Sequence, residues 1–192
     1  MVCNSEIKKH DLFLQIISEH EQCLSRIELA ITIAQKKDIL DWLWTEIENK
    51  HHFKEESLIY PVLAQKKKLT EGGPFCTLYF DEHIVNRPSD KVKALIQKEP
   101  SWQSHQLIYK ENQSPLSIPL EEHRSLRELL VYLIENQKNI SDQQFLKIYD
   151  NYVNLLKHHN TKEEKCFFRV CEICLSQIEL DEIFSKWLTF SE

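Results

Sequence analysis

Apolar residues return at every third or fourth position through five segments of the chain, the spacing of a helix face. The first segment spans about Asn4 to Ala34 and aligns Phe13, Ile17, Leu24, Ile27 and Ile31. The polar corner QKKD follows, and Asp38 is the expected N-cap of a second helix over about Ile39 to Gln65. Gly73 and Pro74 open a third, shorter helix, which Pro88 ends. Residues 89–118 read as a long loop with one short helix near 90–98, interrupted by Pro100 and Pro115. A fourth helix starts at Pro119 or Leu120 and runs to about Gln137; Ser141 caps a fifth, which continues to about Cys174. A last amphipathic piece, Ile178 to Phe190, is expected on the outside. The pattern predicts an all-α bundle with a helical insertion at about 68–118.

Two stretches interrupt the apolar stripes in the same way. HHFKEESLIYP begins at His51 and HHNTKEEKCFF at His158, and aligning them gives one pattern, H-x-x-K-E-E-x-x-[IF]-[YF]. In the second helix the inward stripe reads Leu40, Trp44, Ile47, His51, Glu55, Leu58, Val62. The neighbouring face carries Asp41, Thr45, Glu48 and His52, and is expected to be solvated. In the fifth helix Phe145, Tyr149, Tyr152 and Leu156 lead to His159, Glu163 and Phe167, while His158 shares a polar face with Asn151 and Asn154. The alignment pairs His51/Glu55 with His159/Glu163, and His52/Glu56 is the competing register. A single His–Glu pair four residues apart is usually a surface ion pair of little energetic consequence. A carboxylate within an apolar stripe is different, because burying it unpaired costs several kcal/mol.

Three further histidines each follow an acidic residue: His20 in SEH, His83 in DEH and His123 in EEH. A lone histidine among apolar neighbours is more often a satisfied core residue than a ligand. Their depth argues otherwise. Counting back from the corners at about 1.5 Å per residue brings His20, His51, His83, His123 and His159 to one layer, within about 5 Å. Imidazole and carboxylate donors suit iron, manganese or zinc, and no thiolate set for structural zinc accompanies them. Seven donor residues are too many for one ion. If both glutamates and one solvent-derived group bridge two octahedral ions, one ion takes three histidines and is full. The other takes two and keeps a position open for a small ligand.

With those residues in place, the chain resembles the hemerythrins, and more closely the hemerythrin-like HHE proteins. The shared features are an EH helix, an H-x-x-K-E-E helix ending in proline, another EH helix and a final H-x-x-x-E helix, over roughly Ser18 to Phe168. The resemblance implies a single up-down four-helix bundle domain over residues 1–192. It also implies a non-haem di-iron centre held by His20, His51, Glu55, His123, His159 and Glu163. EGGPFCTLYFDEH is similar to the family's GGP-x-EH segment, which implies His83 as the remaining ligand. O₂, NO or peroxide would then be the bound partner, for sensing, storage or detoxification. Oxygen carriers place an Asp five residues after the last histidine; Glu163 follows His159 by four, which puts the chain nearer the sensors and repair proteins. A di-iron oxidase or peroxidase is the competing enzyme reading, with Tyr79, Tyr149 or Tyr152 as proton donor. A zinc-binding or metal-free helical interaction module is the third.

Composition narrows the setting. The 192 residues are 42% hydrophobic, enough for one core, and only two are glycine, far fewer than a turn-rich β fold needs. The net charge of −6 is interspersed, with no basic stripe or nucleic-acid motif. No apolar run approaches a membrane span, and the polar start MVCNSEIKKHD lacks the core of a signal peptide. Six cysteines without framework spacing fit a reducing cytoplasm. Cys171 and Cys174, a CxxC on a helix, are expected to be thiols, and Cys23 and Cys166 to pack as small apolar groups. Glu19, Glu82 and Glu122 are candidates to support imidazoles on other helices.

Overall fold

A computed structural model of the protein describes residues 9–66 and 116–190. Among these residues every regular element is a helix and none is a strand. Helix α1 (Asp11–Leu29) is capped by His10, whose Nδ1 accepts from the Leu12 backbone N–H at 3.1 Å while its Nε2–H donates to Asp181 at 3.0 Å. The expected single helix to Ala34 is instead broken at Ala30. Thr32 and Gln35 form a capping box that starts a separate short helix, α2 (Ile33–Asp38). Gln35 to Asp38 is therefore helical rather than a corner, and Asp38 closes α2 instead of capping its successor.

The next helix, α3, is a continuous run over residues 40–64, and it is not uniformly α-helical. Leu43–His51 and Glu55–Ile59 are π-helical, separated by the α-helical turn His52–Lys54. Helix α4 (Ser117–Asn136) follows. Helix α5 covers residues 142–174; its Ser141–Gln144 capping box sets the start, and Glu163–Phe167 is again π-helical. Ser176 and Glu179 cap the last helix, α6 (Gln177–Thr189), through a third such box. The expected helices at Gly73–Arg87 and 90–98 lie outside the described residues.

Two apolar clusters organise these helices. One gathers Leu12, Phe13, Ile16, Ile59, Tyr60, Leu63, Phe167 and Phe168; the other gathers Cys23, Ile27, Leu43, Ile47, Leu126, Leu130, Tyr149 and Tyr152. Each of α1, α3, α4 and α5 runs from one cluster to the other. α1 and α4 run in one sense, α3 and α5 in the opposite sense. Between the clusters all four helices present buried polar residues: His20 on α1, His51, His52, Lys54, Glu55 and Glu56 on α3, Glu122 and His123 on α4, and His159, Asn160, Lys162 and Glu163 on α5. Fully burying a large apolar side chain contributes roughly 1.5–3 kcal/mol, so both clusters favour a geometry that traps this polar layer between them. Helix α6 packs on α1 and on the second π-turn of α3, bringing the buried Trp187 to the edge of the layer. No helix among the described residues is long and apolar enough to cross a membrane.

Candidate metal centre

The polar layer is built from five buried imidazoles around two buried carboxylates. His20 Nε2 lies 3.0 Å from His51 Nε2 and 3.4 Å from Glu163 Oε2, and His51 Nε2 lies 3.5 Å from Glu55 Oε1. On the other side His123 Nε2 lies 2.9 Å from His159 Nε2 and 3.4 Å from Glu55 Oε2, and His159 Nε2 lies 3.4 Å from Glu163 Oε2. Glu55 and Glu163 thus each touch both pairs of histidines. The ligand atoms of His52, Glu55, His123 and His159 all lie within 4.8 Å of one another, as do those of His20, His51 and Glu55.

Every Nδ1 in this set is held from behind by a carboxylate. His20 donates to Glu164 at 2.9 Å, His51 to Glu19 at 2.7 Å and His52 to Glu48 at 2.8 Å. His123 donates to Glu56 at 2.8 Å and His159 to Glu122 at 3.1 Å. An ionised carboxylate only accepts, so each Nδ1 carries a proton, and in the neutral ring Nε2 is left with a lone pair facing the centre. Lys54 pairs with Glu19, Lys162 with Glu122, and Arg127 with Glu56, fixing the carboxylates in turn. Such outer partners orient metal-binding imidazoles and raise their basicity.

These contacts also answer why the chain carries the motif twice. His51, Glu19 and Lys54 correspond to His159, Glu122 and Lys162; His20 and Glu164 correspond to His123 and Glu56. The aromatic lids correspond as well: Tyr60 stacks on His123 and Phe168 on His20, both at an interplanar angle of 18°. The two π-turns begin at the equivalent glutamates, Glu55 and Glu163. Two copies of one motif, facing each other, make two half-sites that share their carboxylates.

Electrostatics favour neutral, ligating imidazoles at several positions. Burial drives His52 and His123 well below the usual histidine range, and lowers His51 against the pull of Glu19. At His20 burial is outweighed by Glu163 and Glu164, and at His159 by Glu163 and Glu122, so both are raised. Burial pushes Glu55 well above the carboxylate range, and Glu163 adds to that push. Burial acts the same way on Glu163, but His159 and His20 outweigh it and hold it at about 2.

The fit to a metal rests on four buried donor atoms. His52 Nε2, both oxygens of Glu55 and Glu163 Oε2 are buried without a hydrogen-bond partner. A cation between them would satisfy all four. Donors at right angles on metal–nitrogen bonds of about 2.1 Å stand about 3.0 Å apart, against about 3.4 Å for a tetrahedral ion. The two imidazole–imidazole separations match the former.

Sequence reasoning and structure part at the second register of α3. His52 is not solvated. It is fully buried, as is Glu48, and Glu56 is buried too, although Asp41 and Thr45 on the same expected face are exposed. Helix α4 covers this half of the face: His52 stacks on His123, with ring centroids 4.1 Å apart, and Glu48 lies by Arg127. The equivalent Leu156 and Asn160 are buried in α5 without a π-turn there. Both registers of the second helix therefore serve the centre, while in the fifth His159 is buried and His158 exposed. His83 and Tyr79 lie outside the described residues; His52 brings the described imidazoles to five. Glu19 and Glu122 support histidines across helices, as expected; Glu56, half of the competing register, holds His123 Nδ1, and Glu48, Glu164, Tyr60 and Arg127 were not anticipated. The Glu48–His52 spacing was the legible clue, a second i, i+4 pair beside the first. Of the candidate proton donors, Tyr152 donates to Glu48 at 3.1 Å and burial pushes its hydroxyl well up; Tyr149 has a buried hydroxyl without a partner. Tyr60 stands nearer, 3.4 Å from Glu163 Oε1.

No protein-family profile matches the chain, and neither a curated protein nor a solved structure does.

Proposed function

We propose that the protein is a hemerythrin-like di-iron protein, an up-down four-helix bundle whose centre binds O₂, NO or peroxide for sensing, storage or detoxification. The observation that carries this reading is the convergence of five imidazole Nε2 atoms on Glu55 and Glu163, with every Nδ1 occupied by a carboxylate. His52, His123 and His159 would hold one iron, His20 and His51 the other, and Glu55 and Glu163 would span both. When bound, the iron pair supplies reversible electron transfer and, at the two-histidine side, room for an exogenous ligand.

The residues around the centre have defined tasks. Glu19, Glu48, Glu56, Glu122 and Glu164 fix ring orientation and keep the Nε2 lone pairs inward. Phe168 and Tyr60 exclude water from opposite faces, and Tyr60 holds a proton within reach of Glu163 Oε1. That hydroxyl is the one feature favouring the oxidase or peroxidase reading, since turnover needs a proton donor beside the centre.

The deciding experiment is metal content per chain after anaerobic ferrous loading, followed by O₂ and NO titration under absorption spectroscopy. About two irons and a reversible spectral change support the proposal. Irreversible consumption of O₂ or peroxide favours the enzyme. One zinc, or no metal taken up, overturns both.

A further inference from the structure

The correspondence between the two motif copies breaks at one pair. His52 follows His51, and Asn160 follows His159, at the same step of the motif. His52 stands against His123 and His159, with ring centroids at 4.1 and 5.3 Å. The equivalent place for Asn160 is against His20 and His51, the half-site with only two imidazoles. Asn160 is 3% exposed, and neither its Nδ2 nor its Oδ1 has a hydrogen-bond partner.

The surroundings of the two residues differ in kind. His52 is backed by Glu48, which is tied to Tyr152 and lies near Arg127. The positions equivalent to Glu48 and Arg127 are Leu156 and Leu24, both part of the apolar cluster. Neither side chain can pair an amide. Buried amides are normally satisfied, so one with both ends free beside a donor-poor half-site marks a missing partner. Asparagine is also shorter than histidine. The Asn160 amide therefore reaches less far than the His52 ring does from the equivalent position.

We infer that Asn160 is the specificity-determining residue of the two-histidine half-site, donating a hydrogen bond from Nδ2 to a small ligand with a terminal acceptor atom seated beside His20 and His51. The inference rests on the proposed di-metal reading. Size selects against larger molecules, and the amide N–H selects for ligands that carry partial negative charge at the far end, such as azide.

The test uses the full chain loaded with iron and oxidised, with azide as the probe. Metal per chain is measured first, then azide affinity by absorption titration, in wild type, Asn160→Leu and Asn160→His. Removing an unpaired buried amide does not endanger the fold, so Asn160→Leu should keep its thermal midpoint and both metals. Its azide affinity should fall about tenfold, the scale of one lost hydrogen bond. Asn160→His should keep both metals and lose azide binding, because a third imidazole fills the half-site. Wild-type azide affinity in both variants, at two metals per chain, overturns the role of Asn160. Fewer than two metals in the wild-type chain overturns the underlying reading instead, and the metal count separates the two failures.

Discussion

His123 and His159 face each other nitrogen to nitrogen, with their Nε2 atoms 2.9 Å apart and each Nδ1 donating to a carboxylate. With neutral rings, two Nε2 lone pairs would converge in a fully buried space; His159, raised by Glu163 and Glu122, can instead donate from Nε2 to His123. His20 and His51 repeat the arrangement at 3.0 Å. Each pair is thus a place for a cation, either a shared proton or a metal ion that both lone pairs coordinate.

Metal should therefore stabilise the fold strongly. At a free metal concentration a thousandfold above the dissociation constant, binding to the native state alone adds about 4 kcal/mol. For a chain of this size that is about 8–16 °C in Tm. Calorimetry before and after chelation, and again after ferrous iron is restored, measures it. A Tm that ignores both treatments would speak against a resident metal.

Each half-site predicts its own loss. His52→Ala should cost the three-histidine half-site its metal affinity, and His159→Ala should do at least as much, since His159 also touches Glu163. His158→Ala, an exposed position, should retain full metal. Elemental analysis of the three purified variants decides the point. Full retention by His52→Ala would mean that the burial of that residue serves packing alone.

Much of this arrangement was legible in the sequence, and what was not has a local cause. Helical periodicity located α4 and α5 to within a few residues because Ser141 and the apolar runs mark them without competition. The repeated H-x-x-K-E-E pattern pointed to the right layer, because depth along a helix depends only on rise per residue. Facing depends also on what packs against a face, and nothing in the sequence of α3 says that α4 covers His52 and Glu48 while Asp41 and Thr45 stay exposed. That is why His52 was placed on the wrong face. The break at Ala30 was missed because the capping box of Thr32 and Gln35 sits inside an otherwise apolar-periodic stretch. The internal correspondence that exposes Asn160 appears only when partners on four helices are compared.

The thiols should divide by burial. Cys23 is pushed up to about 12 and Cys171 well above the usual thiol range, burial being the first cause in both. Because the thiolate is the nucleophile, raised values keep these groups protonated and inert at pH 8. Iodoacetamide applied to the native protein should therefore label Cys166 and Cys174, which are part-buried, well before Cys23 and Cys171. Peptide mass spectrometry over a time course reads the order. Rapid modification of Cys171 would point to a redox role for the Cys171–Cys174 pair.

Helix α6 should act on the centre from outside. Trp187 is 3% exposed, its Nε1–H donates to Glu19 at 2.9 Å, and Lys54 Nζ lies 4.1 Å from its ring centroid. Glu19 in turn accepts from His51 Nδ1, so three groups from three helices hold one imidazole in place. Trp187→Phe should keep most of the packing and lose only the bond to Glu19. Trp187→Ala should also open a cavity, destabilising the fold by about 3–5 kcal/mol. Glu19→Ala removes the support itself and should weaken metal binding about 10–100-fold, the scale typical of such partners. Competition against a chromophoric chelator ranks the three, with Glu28→Ala as an exposed control. If Glu19→Ala binds metal as tightly as that control, His51 is held by packing alone and the carboxylate behind it has no part in the centre.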